Sequence, residues 1–387
     1  MGVGHGVRVL LGVVSPFLSV LLLFFAMYRC RNGSSFGGGA WRRWRRKRRG
    51  LASAGNGVGE EGEEEEAEAE ELMSFPGGED LTVHAILDAP GEVVGKSGYG
   101  TLYKASVSGG DGSGGGASLM LLRFVRPACT GKTRELLPAV RLMGLVRHPN
   151  LVPLRALYVG LRGEKLFVHP FFPAGNLSNF LKGGNADSYN WEVIHKVAVG
   201  IAEGLDHLHN GLQRPVVHGN LKSKNVLLDV DYQPRLSDFG LHLLLNPSSG
   251  QEMLDASAAE GYKAPELIKM REASKESDIY SLGVILLELV TRKDPSSSEL
   301  LPARDLRLPN TIRNPLFDRK NSETLSPELL RQSRKQNCVT EGGLLTFYQL
   351  AMSCCSPSPL LRPDIKHVVR KLEALGRQFR PPPATQC

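Results

Sequence analysis

The hydrophobic pattern divides the chain into an apolar run, a long polar stretch and a patterned remainder. Val9–Tyr28 is twenty residues without a charge. At about 1.5 Å per helical residue it reaches roughly 30 Å, the thickness of a bilayer's hydrocarbon core. A cleaved signal peptide competes with a transmembrane helix, because Arg8 precedes the run and small residues follow near Gly33–Gly39. The apolar region of a signal spans about 7–15 residues, so this longer run reads as an uncleaved anchor. From about Gly91 the pattern alternates as strands do and then lengthens to helical spacing. Ile194–His209 places Ile194, Val197, Ala198, Ile201, Leu205 and Leu208 on one face, which predicts a core-packed helix. Asp278–Val290 is apolar on nearly all sides, as a helix inside a large lobe would be. Strands first and helices afterwards predict two lobes.

Charge changes the picture only near the apolar run. The 387 residues carry a formal net charge of +7, but seven Arg and Lys residues fall within Trp41–Arg49. With Arg29 and Arg31 they put the positive side C-terminal to the run, so residues 29 onwards are expected in the cytoplasm and residues 1–8 outside. The patch 42–49, with Trp41 just before it and Trp44 within it, suits anionic lipid headgroups. A nucleic-acid partner is not needed to explain it so close to a membrane span. Glu60–Glu71 holds nine glutamates in twelve residues and cannot bury apolar surface, so residues 29–90 read as a disordered basic and acidic linker. The six cysteines show no zinc-ligand spacing and no dense disulfide framework.

The motifs of the remainder arrive in a fixed order: GKSGYGTLYKA, LMLLRF, RHPNLVPL, HGNLKSKNVLLD, SDFG, APE, SDIYSLGV and RP. This set resembles the protein-kinase signature and covers residues 91 to about 375. Its texture is similar to the plant leucine-rich-repeat receptor-like kinases, and within them to the atypical transmembrane kinase-like group. The resemblance implies an α+β, bilobal fold (a small β-rich lobe and a large helical lobe) over 91–375, with a flexible tail at 376–387. That group carries an extracellular repeat domain. Only eight residues precede the apolar run here, which reads as a lost ectodomain or a truncated product.

Against that family the chemistry is depleted. Phosphoryl transfer needs a loop over the phosphates, a lysine, bound Mg²⁺ and a carboxylate for the substrate proton. Gly95, Ser97 and Gly100 fill the three glycine positions, with a Cβ added at the middle one. The family's Val-Ala-Val/Ile-Lys strand aligns with Leu119–Leu122, which puts Leu122 at the lysine. A shift of one residue puts Arg123 there and turns the other face inward. The partner glutamate falls on Ala139. Lys96 and Lys104 are weaker candidates for the missing cation. Leu102 and Met120 stand over the adenine, where extra methylenes cost about 1–3 kcal/mol. The hinge segment contains Pro170 and Phe172, and Pro170 lacks a backbone donor. His218-Gly219-Asn220 replaces His-Arg-Asp. Loss of the general base alone is worth roughly 10²–10⁴ in rate. Ala259 stands where active relatives have a threonine.

Other positions survive. Asn225 and Asp238 offer oxygen ligands suited to Mg²⁺, and Lys222 persists without its aspartate. His218, Phe239, Gly240 and Asp278 occupy architectural positions, as do Glu266 and Arg362, which form a structural ion pair in the family. The implied protein is a plasma-membrane receptor-like pseudokinase, anchored by residues 9–28 and the patch 42–49, with weak Mg-ATP binding at most. It would act as a scaffold or allosteric partner of active receptor-like kinases. The alternatives are an atypical active Ser/Thr kinase and a nucleotide-sensing switch without turnover.

Overall fold

The computed structural model describes residues 70–108, 117–270, 272–297, 325–336 and 339–378. The first lobe is an antiparallel six-stranded sheet. Its strands are β1 (Glu71–Ser74), β2 (Gly91–Lys96), β3 (Gly100–Val107), β4 (Ser118–Val125), β5 (Ala156–Val159) and β6 (Lys165–Pro170), in the order β1-β5-β6-β4-β3-β2. Helix α1 (Val83–Asp88) closes one face, where Ile86 and Leu87 join Tyr103, Ala105, Leu122 and Val168 in a small core. Helix α2 (Thr133–Leu145) closes the other through Leu136, Val140 and Met143. The expected linker therefore ends before residue 70. Residues 71–90 fold with the sheet because Phe75 and Ile86 supply buried apolar surface that the glutamate run lacks.

The second lobe is helical. It contains α3 (Leu177–Lys182), α4 (Trp191–Asn210), the two-stranded β7 (Val226–Leu228) and β8 (Pro234–Leu236), and α5 (Pro247–Ala259). There follow α6 (Lys275–Thr291), α7 (Pro327–Gln336), α8 (Glu341–Cys354) and α9 (Ile365–Gln378). Asn190 caps α4, its side chain accepting from the Glu192 amide. The helix then buries Ile194, Val197, Ile201, Leu205 and Leu208, the face read from the sequence. Helix α6 opens with a reciprocal cap between Ser274 and Ser277, and every residue from Ser277 to Thr291 is buried. It is the post around which α4, α8 and the loops of the cleft are arranged. Among the described residues no helix is long and apolar enough to cross a membrane, and the expected span 9–28 lies outside them.

Candidate functional site

The cleft between the lobes is read most directly from β4, because neighbouring side chains on a strand face opposite ways. Leu122 is fully buried in the small core beneath α1, and Met120 packs against that same core. Both point away from the cleft. Arg123 points into it, standing opposite Leu102, while Leu121 stands opposite Lys104 on the same face. The residue at the lysine's place is thus Arg123, not Leu122, and the ceiling residue is Leu121, not Met120. The phase was ambiguous because Leu119–Leu122 is apolar at every position, so alternation left no mark until Arg123.

Arg123 is 6% exposed, and its Nη2 donates to Oδ1 of Asp238 in a buried ion pair. No carboxylate comes from α2, where Ala139 packs against the large core. The other lysines are engaged or remote. Lys104 bonds Glu92 at 3.0 Å and lies 5.2 Å over the Phe171 ring, while Lys96 is exposed. Asp238 itself has φ +64°, an unusual left-handed conformation for a non-glycine residue. Behind the pair, Arg123, Met143, Leu154, His169, Asp238 and Phe239 line a cavity of about 40 Å³, room for water but far below the roughly 300–1,000 Å³ of a small-molecule site. Asp238 and Asn225 have the oxygen chemistry of Mg²⁺ ligands. A guanidinium already on Asp238 would repel a divalent cation, so the residues as arranged do not fit one.

The loop after α4 is built on Asp278. Its Oδ2 accepts from the His218 amide at 2.7 Å and from His209 Nε2 at 2.9 Å, and its Oδ1 accepts from the Gly219 amide at 2.9 Å. The Asn225 side chain donates to the Asn220 carbonyl at 2.8 Å, and the Ser237 amide to the Asn225 carbonyl at 2.8 Å. Asn220 is buried, and its side-chain oxygen has no partner among the described residues. Lys222 is held by Glu260 at 3.2 Å. At the hinge, His169 Nδ1 bonds the Pro153 carbonyl at 3.1 Å, the Phe171 amide donates to the Leu119 carbonyl, and Phe172 lies under Arg235.

Burial holds the His218 pKa down to about 4 against the opposing charges of Asp278 and Asp238. The unfolded chain, titrating near 6.5, binds the extra proton between these values, so stability is complete above pH 6.5 and falls as pH drops toward 4. The expected loss from this group is on the order of 3 kcal/mol. His169, held down to about 4 by burial as well, contributes to the same limb. A His218→Phe variant should therefore make that part of a stability–pH curve, measured by urea unfolding, shallower without abolishing it.

The glycine-rich segment forms a tight turn, with the Ser97 amide donating to the Gly100 carbonyl at 2.9 Å. Gly95 pairs with Leu102 beside a bulge. At Gly100 a Cβ would lie 2.3 Å from the Phe124 carbonyl oxygen, so only glycine fits. Tyr99 at the tip is buried, with its pKa raised by burial and by the charge of Asp238. Helix α5 was not foreseen from the sequence. Its signal was Asn246-Pro247, a cap followed by proline at the first helical position. Ser249, Ser257 and Tyr262 are buried, and Ser248 is exposed.

Residues 89–372 match the family described as protein tyrosine and serine/threonine kinase. The chain belongs to that family. It is 38% identical over 305 residues to the Arabidopsis thaliana putative kinase-like protein TMKL1, covering 78% of this chain and 44% of that protein. It is 36% identical over 305 residues to the Arabidopsis probable leucine-rich repeat receptor-like protein kinase IMK3, covering 78% and 36%. The chain therefore spans less than half the length of these relatives. Two solved structures share the fold. The maize SIRK1 kinase domain bound to AMP-PNP has a TM-score of 0.64 at 27% identity over 79% of this chain and 99% of that one. The pseudokinase domain of BIR2, an immune regulator of the RLK/Pelle family, has a TM-score of 0.59 at 26% identity over 75% and 82%.

The kinase family's two-lobed frame is intact here. Arg362 grips Glu266 with both Nη atoms, at 2.6 and 2.7 Å, and also donates to the Ser356 and Glu276 carbonyls. Phe239 is buried against the large core with Met143, and the Gly240 amide donates to the His218 carbonyl at 3.1 Å. The kinase frame thus holds the cleft's loops in place by contacts that need no nucleotide.

Proposed function

We propose that this member of the kinase family is a membrane-anchored receptor-like pseudokinase that works by binding other signalling proteins, active receptor-like kinases foremost. The observation that carries this reading is Arg123 seated on Asp238. In an active kinase that aspartate holds Mg²⁺, while the strand's cation belongs to the phosphates and to a glutamate on the following helix. Here the glutamate's place is Ala139, so the guanidinium takes the metal's carboxylate instead. Asn220 adds a second deficit, because an amide accepts no proton from a substrate hydroxyl. The name of TMKL1, that of the probable inactive receptor kinase RLK902 (36% identical over 294 residues) and the BIR2 pseudokinase fold support the same direction. Membrane attachment rests on the apolar run 9–28 and the basic patch 42–49.

The test is a phosphotransfer assay on the full chain with labelled ATP and Mg²⁺ or Mn²⁺. No labelled product is expected, from the native chain or from Asn220→Asp, since the base restored alone still lacks a metal site. Transfer that disappears in Asp238→Ala would sink the reading. A nucleotide-sensing switch is the second reading, favoured by Asn225, which keeps its bond to the loop carbonyl of residue 220. A thermal-shift titration separates the two. A ligand at 100 times its Kd stabilises by about 2.7 kcal/mol, and the scaffold reading expects no shift at millimolar ATP.

A further inference from the structure

Helix α7 is seated by one face and presents a charged face outward. The Ser326 amide ahead of it donates to the Val290 carbonyl at 2.9 Å, tying its start to the end of α6. Leu329 is fully buried and Ser333 nearly so. On the other face Pro327, Leu330, Arg331, Arg334 and Lys335, neighbours at helical spacing, line an open cavity of about 460 Å³. That volume falls within the roughly 300–1,000 Å³ of a ligand site, and the lining holds three cations and no carboxylate. Arg334 reaches Glu341 at 3.2 Å, but its side chain is 72% exposed. Arg331 and Lys335 are exposed and have no carboxylate partner among the described residues.

The chain has one segment whose charge answers this face. Glu60–Glu71 carries nine glutamates in twelve residues and no cation. Glu70 and Glu71 are taken up at β1, where Glu70 accepts from the Tyr158 hydroxyl at 3.2 Å. Seven, from Glu60 to Glu68, stand ahead of the sheet. Arginine forks recognise carboxylates by paired hydrogen bonds, and clustered cations are a recurrent seat for acidic segments. A single exposed pair is weak, but a row of carboxylates on three cations gains from acting together. A fully extended chain spans at most about 3.3–3.6 Å per residue, so residues 60–69 reach no more than roughly 36 Å from Glu70. The strand they are tied to is the outer one of the first lobe's sheet, whereas α7 belongs to the second lobe. The run is therefore better placed for a neighbour's α7 than for its own.

We propose that the outer face of α7 is a docking groove for the acidic run 60–71 of a second copy of this chain. Exchanged both ways between two copies, the contact closes as a twofold dimer. It uses no residue of the cleft, so it goes beyond the pseudokinase reading and stands or falls apart from it.

Zero-length cross-linking of the full chain tests it. Copies labelled with ¹⁵N are mixed with unlabelled ones and treated with a carbodiimide, which takes up the water lost as the Lys335 amine and a glutamate form an amide. Peptides joining Lys335 to residues 60–68 across the two isotopes are expected. Their yield should fall at least tenfold at about 1 M salt, where the Debye length is about 3 Å. Arg331→Glu with Arg334→Glu, which keeps Lys335, should lower it as far. So should Glu63→Lys, Glu64→Lys, Glu65→Lys and Glu66→Lys together, and the two sets combined should restore links between run and helix. Lys371→Glu, at an exposed residue of α9, should change nothing. Four results overturn the proposal: no link to Lys335, links that never cross isotopes, run links confined to Lys47 of the patch 42–49, or a Lys335 yield that the charge reversals leave unchanged.

Discussion

Arg123→Met is expected to lower the unfolding free energy by about 3 kcal/mol or more. The side chains of Arg123 and Asp238 are 7% and 11% exposed, so removal of the guanidinium leaves an ionised carboxylate in low dielectric without a counter-charge. Breaking a buried pair from one side typically costs about 3–5 kcal/mol, whereas replacing both members with apolar groups of similar volume is often neutral. Arg123→Met with Asp238→Leu should therefore recover most of the loss. Urea midpoints for the native chain, the two single variants and the double variant give the coupling directly. A single variant that unfolds at the native midpoint would show that the pair does not stabilise the cleft, and the case for Arg123 as the stand-in cation would go with it.

That pair also marks the limit of what the sequence disclosed. The frame was legible: the faces of α4 and α6 follow from periodicity, and the two lobes follow from the order of strands and helices. Glu266, Asp278 and Arg362 were identified by motif, and the structure pairs Arg362 with Glu266 and sets Asp278 on the His218 amide. The cleft was harder, because its meaning turned on which way one strand faces. A strand that is apolar on both sides has no polar position to fix its phase, and the reading settled one residue early, on Leu122. Helix α5 stayed hidden for a different reason. Its residues are Ser- and Ala-rich with only Met253 and Leu254 as large buried anchors, a weak periodic signal that docking rather than propensity makes helical. What remained illegible was thus long-range: the meeting of Arg123 with Asp238, 115 residues apart.

Asp278→Asn is expected to be at least as costly as loss of the cleft pair, by roughly 3–5 kcal/mol. Asp278 is 2% exposed. Burial opposes its ionisation, but the hydrogen bond and charge of His209, with the help of His218 and the Gly219 amide, hold its pKa below the usual carboxylate range. It therefore accepts at both oxygens. An amide in the same place must turn its NH₂ toward at least one backbone or ring donor, leaving two donors face to face in the core. The loops bearing Asn220 and Asn225 hang from the same two amides, so the variant should show faster hydrogen exchange at residues 218–225 along with the lowered urea midpoint. The contrast with Asn220 is physical. The side-chain oxygen of Asn220 holds no described group, so an amide can stand there without loosening the loop. The carboxylate on α6 cannot be so replaced, because its work is on the backbone. If Asp278→Asn unfolds and exchanges like the native chain, the frame is not held at this point and the separation of architecture from chemistry in this cleft fails.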